Sequence, residues 1–357
     1  MGSEFINVEM LPALHGDSIV VEYGNGRLTR RLLIDGGPIG AFGALQERVR
    51  ETDFELIVLS HVDGDHIEGL VRLFAEPQPW CFKVKDVWFN GWRHIKEPEQ
   101  RLGPQQGEYF SALLSRRLKA NSWNRAFKGG AVVVRGDRTL PRHTLNDGLG
   151  MVITLLSPTP EKLVAMRKAW EKALVDIDPG DLETAWELLT KSKRLVPKGG
   201  LLAARPDLSW VVEKQWKPDD AAANGSSIAF LAEFGGKNCL FLADAHPDAV
   251  CSSLKRLLGQ RGIDRLKVDA VKVSHHGSAG NTSDELLDLI ESPRFLVSTN
   301  GAKFHHPADE AIQRIISQST SPSPTIYFNY RTRETGKWKS SHALYNPNES
   351  SPFVIEL

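Results

Sequence analysis

The stretch that decides the fold is ELIVLSHVDGDHIEGL, which runs from residue 55 to residue 70. Residues 55–60 form a short, largely apolar run rich in β-branched side chains, and such a run predicts a buried strand. The strand leads directly into a loop that carries His61, Asp63, Asp65 and His66, and residues 67–74 predict a helix after it. The tight connection between strand and helix would turn several of these side chains towards one point.

The four side chains of this loop have the chemistry of metal ligands. Imidazoles and carboxylates bind Zn²⁺ and Mn²⁺. Clustered carboxylates repel one another unless a cation neutralises them, so this density indicates a metal site rather than a polar loop whose acids cap a helix. A bound divalent ion lowers the pKa of a coordinated water and so supplies a nucleophile near neutral pH. The stretch therefore predicts a metal-dependent hydrolase.

A hairpin with a glycine-rich turn occurs twice in the chain. Its strands are predicted at residues 17–23 and 31–34, and again at residues 227–234 and 238–243. Glycine suits the two turns because it tolerates the positive φ that tight hairpins need. The first hairpin ends at Asp35 and the second at Asp244. The repetition predicts a two-fold αββα layout, in which two sheets pack face to face with helices outside.

Strands and helices alternate around these hairpins. The predicted helices are residues 42–50, 106–127, 283–291 and 309–317. The predicted strands are residues 84–89, 132–134, 151–156, 268–274 and 294–299, with edge strands at 325–330, around Ala343 and at 353–356. Residues 161–194 instead carry an amphipathic helical pattern, which Pro179-Gly180 divides into two helices. We expect one domain over residues 6–357 that contains a helical insertion at residues 161–217.

The composition is that of an ordinary globular protein, with 41% hydrophobic and 25% charged residues. The 44 basic and 44 acidic residues cancel, so attraction to a nucleic acid would need a local basic surface. The three cysteines form no CxxC pair, which argues against a disulfide framework or a thiolate zinc site. No apolar run approaches the roughly 20 residues that span a bilayer. Residues 1–5 look like a cloning remnant and no secretory signal is present, so we expect a cytoplasmic protein without a membrane partner.

Residues 60–70 resemble the signature loop of the metallo-β-lactamase superfamily, His-x-His-x-Asp-His, with Asp63 in place of the second histidine. This His-x-Asp-x-Asp-His version is similar to the soluble hydrolase domain of ComEC-type DNA-uptake proteins. Further similar segments follow in order at residues 16–18 (GDS), 33–37 (LIDGG), 224–228 (NGSSI), 242–244 (LAD), 272–278 (KVSHHGS) and 306–307 (HP). The resemblance runs from about residue 8 to residue 315. It implies an α/β fold, the four-layer αββα metallo-β-lactamase sandwich, in which the insertion has no counterpart.

The resemblance also implies a site for two divalent metal ions, Zn²⁺ or Mn²⁺. His61 and Asp63 would bind the first ion, and Asp65 and His66 would bind the second. Asp244, at the end of its hairpin strand, would bridge the two ions.

Three further residues complete the implied site. Asp35 sits where the family keeps an aspartate that orients the signature loop. Of His275 and His276, one would be a ligand and the other would contact substrate or act as a general acid, and the sequence leaves the order open. As a working assignment, we take His275 as the ligand and place His276 with Asp65 and Asp35 among the catalytic candidates.

Two places depart from the superfamily pattern. Ser157-Pro158-Thr159 stands where a further histidine usually follows a strand, and Asn300 stands where many relatives carry a ligating histidine. His306 lies a few residues beyond Asn300 and takes that ligand position in our assignment. A site with fewer imidazoles and more carboxylates favours harder ions, so Mn²⁺ becomes a rival to Zn²⁺.

A two-metal centre with a bridging carboxylate suits phosphodiester hydrolysis, and the ComEC-type resemblance implies a nuclease with a nucleic-acid or phosphodiester substrate. Local basic residues agree with this function: Arg93, Lys96, Arg116, Arg117, Lys119, Arg331, Arg333, Lys337 and Lys339. Trp88, Trp92 and Trp338 are candidates for base stacking. Two alternatives stay open. One is hydrolysis of a small ester, lactone or thioester; the other is a non-catalytic protein whose insertion binds a protein partner.

Overall fold

The structure is a computed structural model. It describes residues 3–95, 105–119, 121–136, 139–174, 177–192, 194–196, 219–319, 321, 323–338 and 341–357. Among the predicted features, Lys96, Lys339 and most of the second half of the insertion lie outside the described residues.

Six strands form the first sheet. They are β1 (Phe5–Met10), β2 (Ile19–Gly24), β3 (Thr29–Ile34), β4 (Thr52–Val58), β5 (Phe82–Trp88) and β16 (Phe353–Glu356). Their order is β16-β1-β2-β3-β4-β5. Strands β16 to β3 pair antiparallel, whereas β3, β4 and β5 are parallel. The parallel strands are possible because helices α1 (Phe42–Val49) and α2 (Gly64–Ala75) return the chain between them.

Eight strands form the second sheet. They are β6 (Arg142–Thr144), β7 (Val152–Ser157), β8 (Ala229–Phe234), β9 (Lys237–Phe241), β11 (Ala270–Lys272), β13 (Arg294–Val297), β14 (Thr325–Phe328) and β15 (Ala343–Tyr345). Their order is β15-β14-β13-β11-β9-β8-β7-β6, and β10 (Leu266–Lys267) pairs separately with β12 (Ile290–Glu291). As in the first sheet, an antiparallel hairpin, β8-β9, continues into parallel strands. The predicted two-fold repetition is therefore present in the strand order.

The remaining helices lie in two outer layers. They are α3 (Trp92–Ile95), α4 (Gln105–Arg117), α5 (Pro160–Ala173), α6 (Leu182–Lys191), α7 (Ala222–Gly225), α8 (Pro247–Arg261), α9 (Asp284–Leu289) and α10 (Asp309–Gln318). One core joins the inner faces of the two sheets and continues under α8, α9 and α10; its members include Val8, Val21, Ile153, Phe230, Leu240, Leu254 and Ile312. A second core joins the outer face of the first sheet to α1, α2 and α4; its members include Leu33, Ile57, Leu70, Phe74 and Phe110. The predicted four-layer αββα sandwich is confirmed.

The two predicted helices of the insertion are α5 and α6. Their apolar side chains, including Met166, Trp170 and Leu189, join the core on the outer face of the first sheet. Glu108 of α4 is fully buried under this contact and accepts hydrogen bonds from Trp170 Nε1 at 3.3 Å and from Gly180 N at 3.1 Å. The insertion thus follows strands of the second sheet in the chain but packs on the helices of the first half. Its boundaries remain a prediction.

Three sequence predictions need correction. Residues 132–134 are not a strand. The side chain of Asn90 bonds the N–H and the C=O of Val132, and these are the groups with which a strand would bond to its neighbour. The helix predicted over 106–127 ends at Arg117, and Asn121 and Asn124 adopt positive φ. The helix predicted over 283–291 ends at Leu289, where the chain enters β12.

The turn after β3 is held against the start of α2 by close backbone contacts. Gly36 N donates to His66 O at 2.8 Å, and Gly69 N donates to Gly37 O at 2.9 Å. A Cβ at Gly69 would lie 1.9 Å from Gly36 O, so only glycine permits this approach. Asp17 N donates to Asp65 O from the other side. The signature loop is therefore fixed through its backbone.

The described cysteines, Cys81, Cys239 and Cys251, are free thiols. Among the described residues, no helix combines the length and the apolar character that crossing a bilayer requires.

Candidate metal centre

Asp244 lies at the centre of the predicted site. It follows β9, is almost fully buried, and directs its two oxygens at four imidazoles. Its Oδ1 lies 3.5 Å from His66 Nε2. Its Oδ2 lies 3.7 Å from His275 Nε2 and 3.9 Å from the Nε2 atoms of both His61 and His276. The arrangement suits a carboxylate shared by two ions.

The first group of donors surrounds Asp244 Oδ2. His61 Nε2 lies 3.9 Å from this oxygen and 3.7 Å from Asp63 Oδ2. His275 Nε2 approaches the same oxygen at 3.7 Å. The His61 side chain is fully buried, whereas the Asp63 side chain is 45% exposed. This side of the centre is therefore open to solvent.

The second group of donors contains Asp65, His66 and His276, and one ligand atom from each lies within 4.8 Å of the others. Asp65 Oδ2 is 3.6 Å from His276 Nε2. Two ligands of one tetrahedral ion with bonds of about 2.1 Å lie about 3.4 Å apart. The separations in both groups are close to this value.

The buried donor atoms test whether these residues fit metal ions. Among the described residues, His61 Nε2, His66 Nε2, His276 Nε2 and Asp244 Oδ1 are all buried without a hydrogen-bond partner. Buried polar atoms nearly always have a partner, because leaving one unsatisfied costs about 1–3 kcal/mol. Three such imidazole nitrogens around Asp244, together with one oxygen of its own carboxylate, fit divalent metal ions as the missing partners.

Asp35 contacts both ends of the signature loop, and its orienting role remains a prediction. Its Oδ1 accepts the Ser60 N–H at 2.7 Å, and its Oδ2 accepts the Ser60 hydroxyl at 2.7 Å. Oδ2 also contacts His66 Nδ1 at 2.8 Å. A carboxylate accepts hydrogen bonds, so Nδ1 of His66 carries the proton and Nε2 presents its lone pair to the centre.

The backbone at His275 and His276 lets two adjacent side chains serve both groups. Both residues are left-handed, with φ of 46° and 52°. This conformation is rare for residues with a side chain and costs about 1–2 kcal/mol each. Gly277, at φ 86°, continues the turn. Both histidines reach Asp244, so the geometry gives each of them a donor position and does not separate a ligand from a general acid.

Each of these two histidines has its own partners at Nδ1. His276 Nδ1 donates to Ser298 O at 2.8 Å and lies 3.4 Å from Asp17, whose carboxylate pairs with the buried Lys272 at 2.6 Å. His275 Nδ1 contacts Asp219 Oδ2 at 3.0 Å. These carboxylates fix the orientation of the two rings.

The electrostatics of the centre are those of a mutually compensated cluster. Burial alone would raise the pKa of Asp244, but His66, His275 and His276 hold it well below its usual value. Burial alone would lower the pKa of His276, but Asp17 and Asp244 raise it to about 10. Without a metal ion His276 therefore holds a proton that the ion has to displace, so metal binding should weaken as pH falls.

His306 lies beside the centre, outside both donor groups. Its ring centroid is 5.0 Å from that of His275, and burial with the neighbouring His275 and His276 lowers its pKa to about 3. Phe304 is 44% exposed, and its ring lies 6.3 Å from His306 and 6.0 Å from His15. The ligand role assigned to His306 remains a prediction, while its neutral ring and Phe304 form part of the rim.

Sequence reasoning missed the residues that support His275. Asp219 contacts His275 and also accepts from the side chains of Asn224 and Asn281, and His246 lies 3.8 Å from it. Asn224 begins the recognised segment at 224–228 and Asn281 follows the one at 272–278, but no recognised segment or motif marks Asp219. For Asp17, the only sequence signal was the similarity of residues 16–18 (GDS) to ComEC-type proteins.

No family model matches the chain. The chain is similar to ComE operon protein 3 of Bacillus subtilis (strain 168), at 25% identity over 162 residues, which are 44% of this chain and 19% of that protein. It therefore spans about a fifth of the length of this curated relative. Among solved structures, it is similar to the metallo-β-lactamase fold protein YhfI of Bacillus subtilis, with a TM-score of 0.39 at 10% identity, over 90% of this chain and 96% of that one.

The sequence match agrees with the ComEC-type resemblance of the motifs. The αββα sandwich and the histidine and aspartate donors at its strand ends are typical of metal-dependent hydrolases of the metallo-β-lactamase superfamily.

Proposed function

We propose that this chain is a phosphodiesterase that uses two divalent metal ions, and that its substrate is a nucleic acid. The observation that carries the proposal is the set of buried, unpartnered donor atoms on both sides of Asp244. Two adjacent ions joined by a carboxylate are the usual arrangement for cleaving phosphodiesters, where charge develops on both the attacking and the leaving oxygen.

The residues for the two ions follow from the two donor groups. His61, Asp63 and His275 would hold one ion and share Asp244 with the other. Asp65, His66 and His276 would hold the second ion. When bound, such ions neutralise a phosphate oxygen and lower the pKa of a coordinated water. The three carboxylates among these ligands favour Mn²⁺ at least as much as Zn²⁺.

The surrounding side chains would bind and orient the substrate. Asp63 marks the open side, where a phosphodiester can enter. On the rim, Lys303 Nζ lies 4.6 Å from the centre of the exposed Phe304 ring, so a phosphate contact and a flat apolar face are adjacent. The neutral His306 ring can donate a hydrogen bond to a substrate oxygen. Trp88 and Trp92 are buried and offer no free face, and Trp338 is partly buried against the core. Among the described residues, Phe304 is therefore the rim aromatic that we assign to base stacking.

The test is a substrate panel with purified protein and added Mn²⁺ or Zn²⁺. Single- and double-stranded DNA, RNA, bis(p-nitrophenyl) phosphate and a lactone are compared. We expect cleavage of a nucleic acid and of the small diester, with losses of at least a hundredfold in Asp65→Ala and His66→Ala. The matched controls Asp264→Ala and His342→Ala, both away from the centre, should retain activity.

Two results would contradict the proposal. If the lactone is opened and no diester is cleaved, the protein is a hydrolase of another class. If protein purified without chelator contains and binds neither Zn nor Mn, the metal centre itself is wrong and a non-catalytic role remains.

A further inference from the structure

A basic cleft lies beyond the edge strand β5, between the end of α4 and the turn that contains residues 125–127. Its volume is about 550 Å³. The cationic residues of its lining are Arg93, Lys119, Arg125 and Lys128, and Trp123 lies among them. No carboxylate is among the lining residues. The cleft is thus concave, and all the charged side chains that line it are positive.

The four cations of this cleft are exposed to solvent. None of them forms an ion pair with a carboxylate of the described residues, whereas neighbouring basic residues do: Arg116 pairs with Glu183. The nearby Asp86 directs its carboxylate at the backbone N–H groups of Arg125 and Ala126 instead. Uncompensated cations around a concavity concentrate the positive potential there and attract polyanions.

Arg93 is held in place within the cleft. Its guanidinium lies over the ring of Trp123, with Cζ 3.7 Å from the ring centre. Trp123 is itself buried and fixed by donation from Nε1 to Phe89 O at 2.9 Å. His94, whose pKa burial and Arg93 lower to about 3, packs edge-on against the same ring. A guanidinium that is already oriented loses little entropy when it binds a phosphate, and its fork matches two phosphate oxygens.

The position of α4 relates the cleft to the metal centre. At its start, a Cβ on Gly107 would lie 3.2 Å from Val62 of the signature loop. At its end, Arg117 bonds the carbonyls of Phe74 and Glu76, where α2 ends. From Gly107 to Leu118 a helix rises about 16 Å. That distance corresponds to about five nucleotides of a stacked strand at about 3.4 Å each.

We propose that this cleft binds the sugar-phosphate backbone of the nucleic acid several nucleotides away from the bond that is cleaved. The inference rests on the proposed function, because it names where the same substrate is held. It assigns the four cations a role in binding polymeric substrate and none in the chemistry, which a small diester can undergo without reaching the cleft.

The test measures binding separately from cleavage. A fluorescein-labelled 20-nucleotide single-stranded DNA is titrated in EDTA, which prevents hydrolysis, and the Kd is read from anisotropy at several salt concentrations. The variant is K119Q/R125Q/K128Q. The control is R27Q/R50Q/K237Q, which removes the same amount of charge. These residues lie before β3, before β4 and at the start of β9, at the strand ends opposite those that carry the metal centre.

The expected effect follows from counterion release. Each phosphate contact with single-stranded DNA contributes about 0.7 to the slope of log K against log salt, so three contacts contribute about 2. For the cleft variant, the slope of log K against log salt should be smaller in magnitude by about 2. Its DNA binding should be about 10- to 100-fold weaker at 0.1 M salt. The control should stay within about twofold of wild type. Activity on bis(p-nitrophenyl) phosphate should be unchanged in both.

The outcomes separate this inference from the proposed function. If the cleft variant binds DNA with the wild-type Kd and slope while wild type cleaves diesters, the cleft proposal is wrong and the function stands. If wild type cleaves no diester but the cleft variant alone loses DNA binding, the function is wrong and the cleft remains a nucleic-acid site. If the triple variant is misfolded by circular dichroism, R125Q alone decides, and an unchanged slope in place of a fall of about 0.7 overturns the proposal.

Discussion

Replacing Asp35 with asparagine should weaken metal binding without removing a ligand. Asp35 is fully buried, and its two oxygens accept from Ser60 N, Ser60 Oγ and His66 Nδ1 at 2.7, 2.7 and 2.8 Å. In Asp35→Asn, the amide oxygen can still accept the hydrogen bond from the Ser60 N–H, so the NH₂ group must face His66. His66 then has to accept at Nδ1 and carry its proton on Nε2, the atom that faces Asp244.

The size of the effect follows from this change of tautomer. Loss of a carboxylate partner behind a ligating histidine typically costs 10- to 100-fold in metal affinity, or about 1.4–2.7 kcal/mol. The measurement is competitive titration of Mn²⁺ and Zn²⁺ against a chromophoric chelator. Asp53→Asn is the matched control, because Asp53 is an exposed strand carboxylate whose ion pair in the described part of the chain is with Lys83 at 3.6 Å.

A second measurement separates positioning from folding. The metal-free variant should keep its circular dichroism spectrum, and long-range ¹H–¹⁵N correlations should place the His66 proton on Nε2. If Asp35→Asn binds both metals as tightly as wild type, the orienting role of Asp35 is refuted. If affinity falls but Nδ1 still carries the proton, the tautomer argument is refuted.

Three further predictions address the insertion, the backbone clamp and the metal preference. Burial raises the pKa of Glu108 to about 7 from 4.5, so the stability that its neutral form contributes is complete below pH 4.5 and is lost as pH rises through 7. In urea unfolding, the free energy of unfolding of Glu108→Gln should therefore rise by about 3 kcal/mol relative to that of wild type between pH 4.5 and pH 8. A difference that stays constant with pH would contradict the raised pKa. Gly69→Ala should cost at least about 1–3 kcal/mol in thermal unfolding because its Cβ meets Gly36 O, whereas Gly43→Ala, with open space around it, should be neutral or stabilising. Asp63→His should shift the ratio of Zn²⁺ to Mn²⁺ affinities towards Zn²⁺ by about tenfold, and an unchanged ratio would show that Asp63 is not a ligand.

Local sequence patterns were sufficient for the signature loop and its supports. The buried run at 55–60 and the helix after His66 form because apolar burial and helix periodicity act over a few residues. The hairpins ending at Asp35 and Asp244 were equally readable, because their glycine turns and flanking apolar strands are contiguous. Helix α8 was not predicted, although Val250, Leu254 and Leu257 have helical spacing.

Features that depend on distant partners were not readable. Residues 132–134 have strand composition, but the side chain of Asn90 bonds the backbone of Val132, and Val134 N donates to Pro158 O just beyond β7. Asp219 reaches His275 only through the tertiary fold. The cleft around Arg93 and Arg125 combines segments that a linear count of basic residues keeps apart. In each case the deciding contact joins parts of the chain that share no local pattern.

The division of the metal ligands between two sheets has a consequence for how the protein is assembled. His61 to His66 follow the first sheet, whereas Asp244, His275 and His276 follow the second. Neither half alone offers a complete donor set, and bringing together groups this distant in sequence costs loop-closure entropy. Ion binding would then favour only chains whose two halves have already docked, and its free energy would add to that of docking. Metal binding would therefore stabilise only those chains in which the two halves have docked correctly.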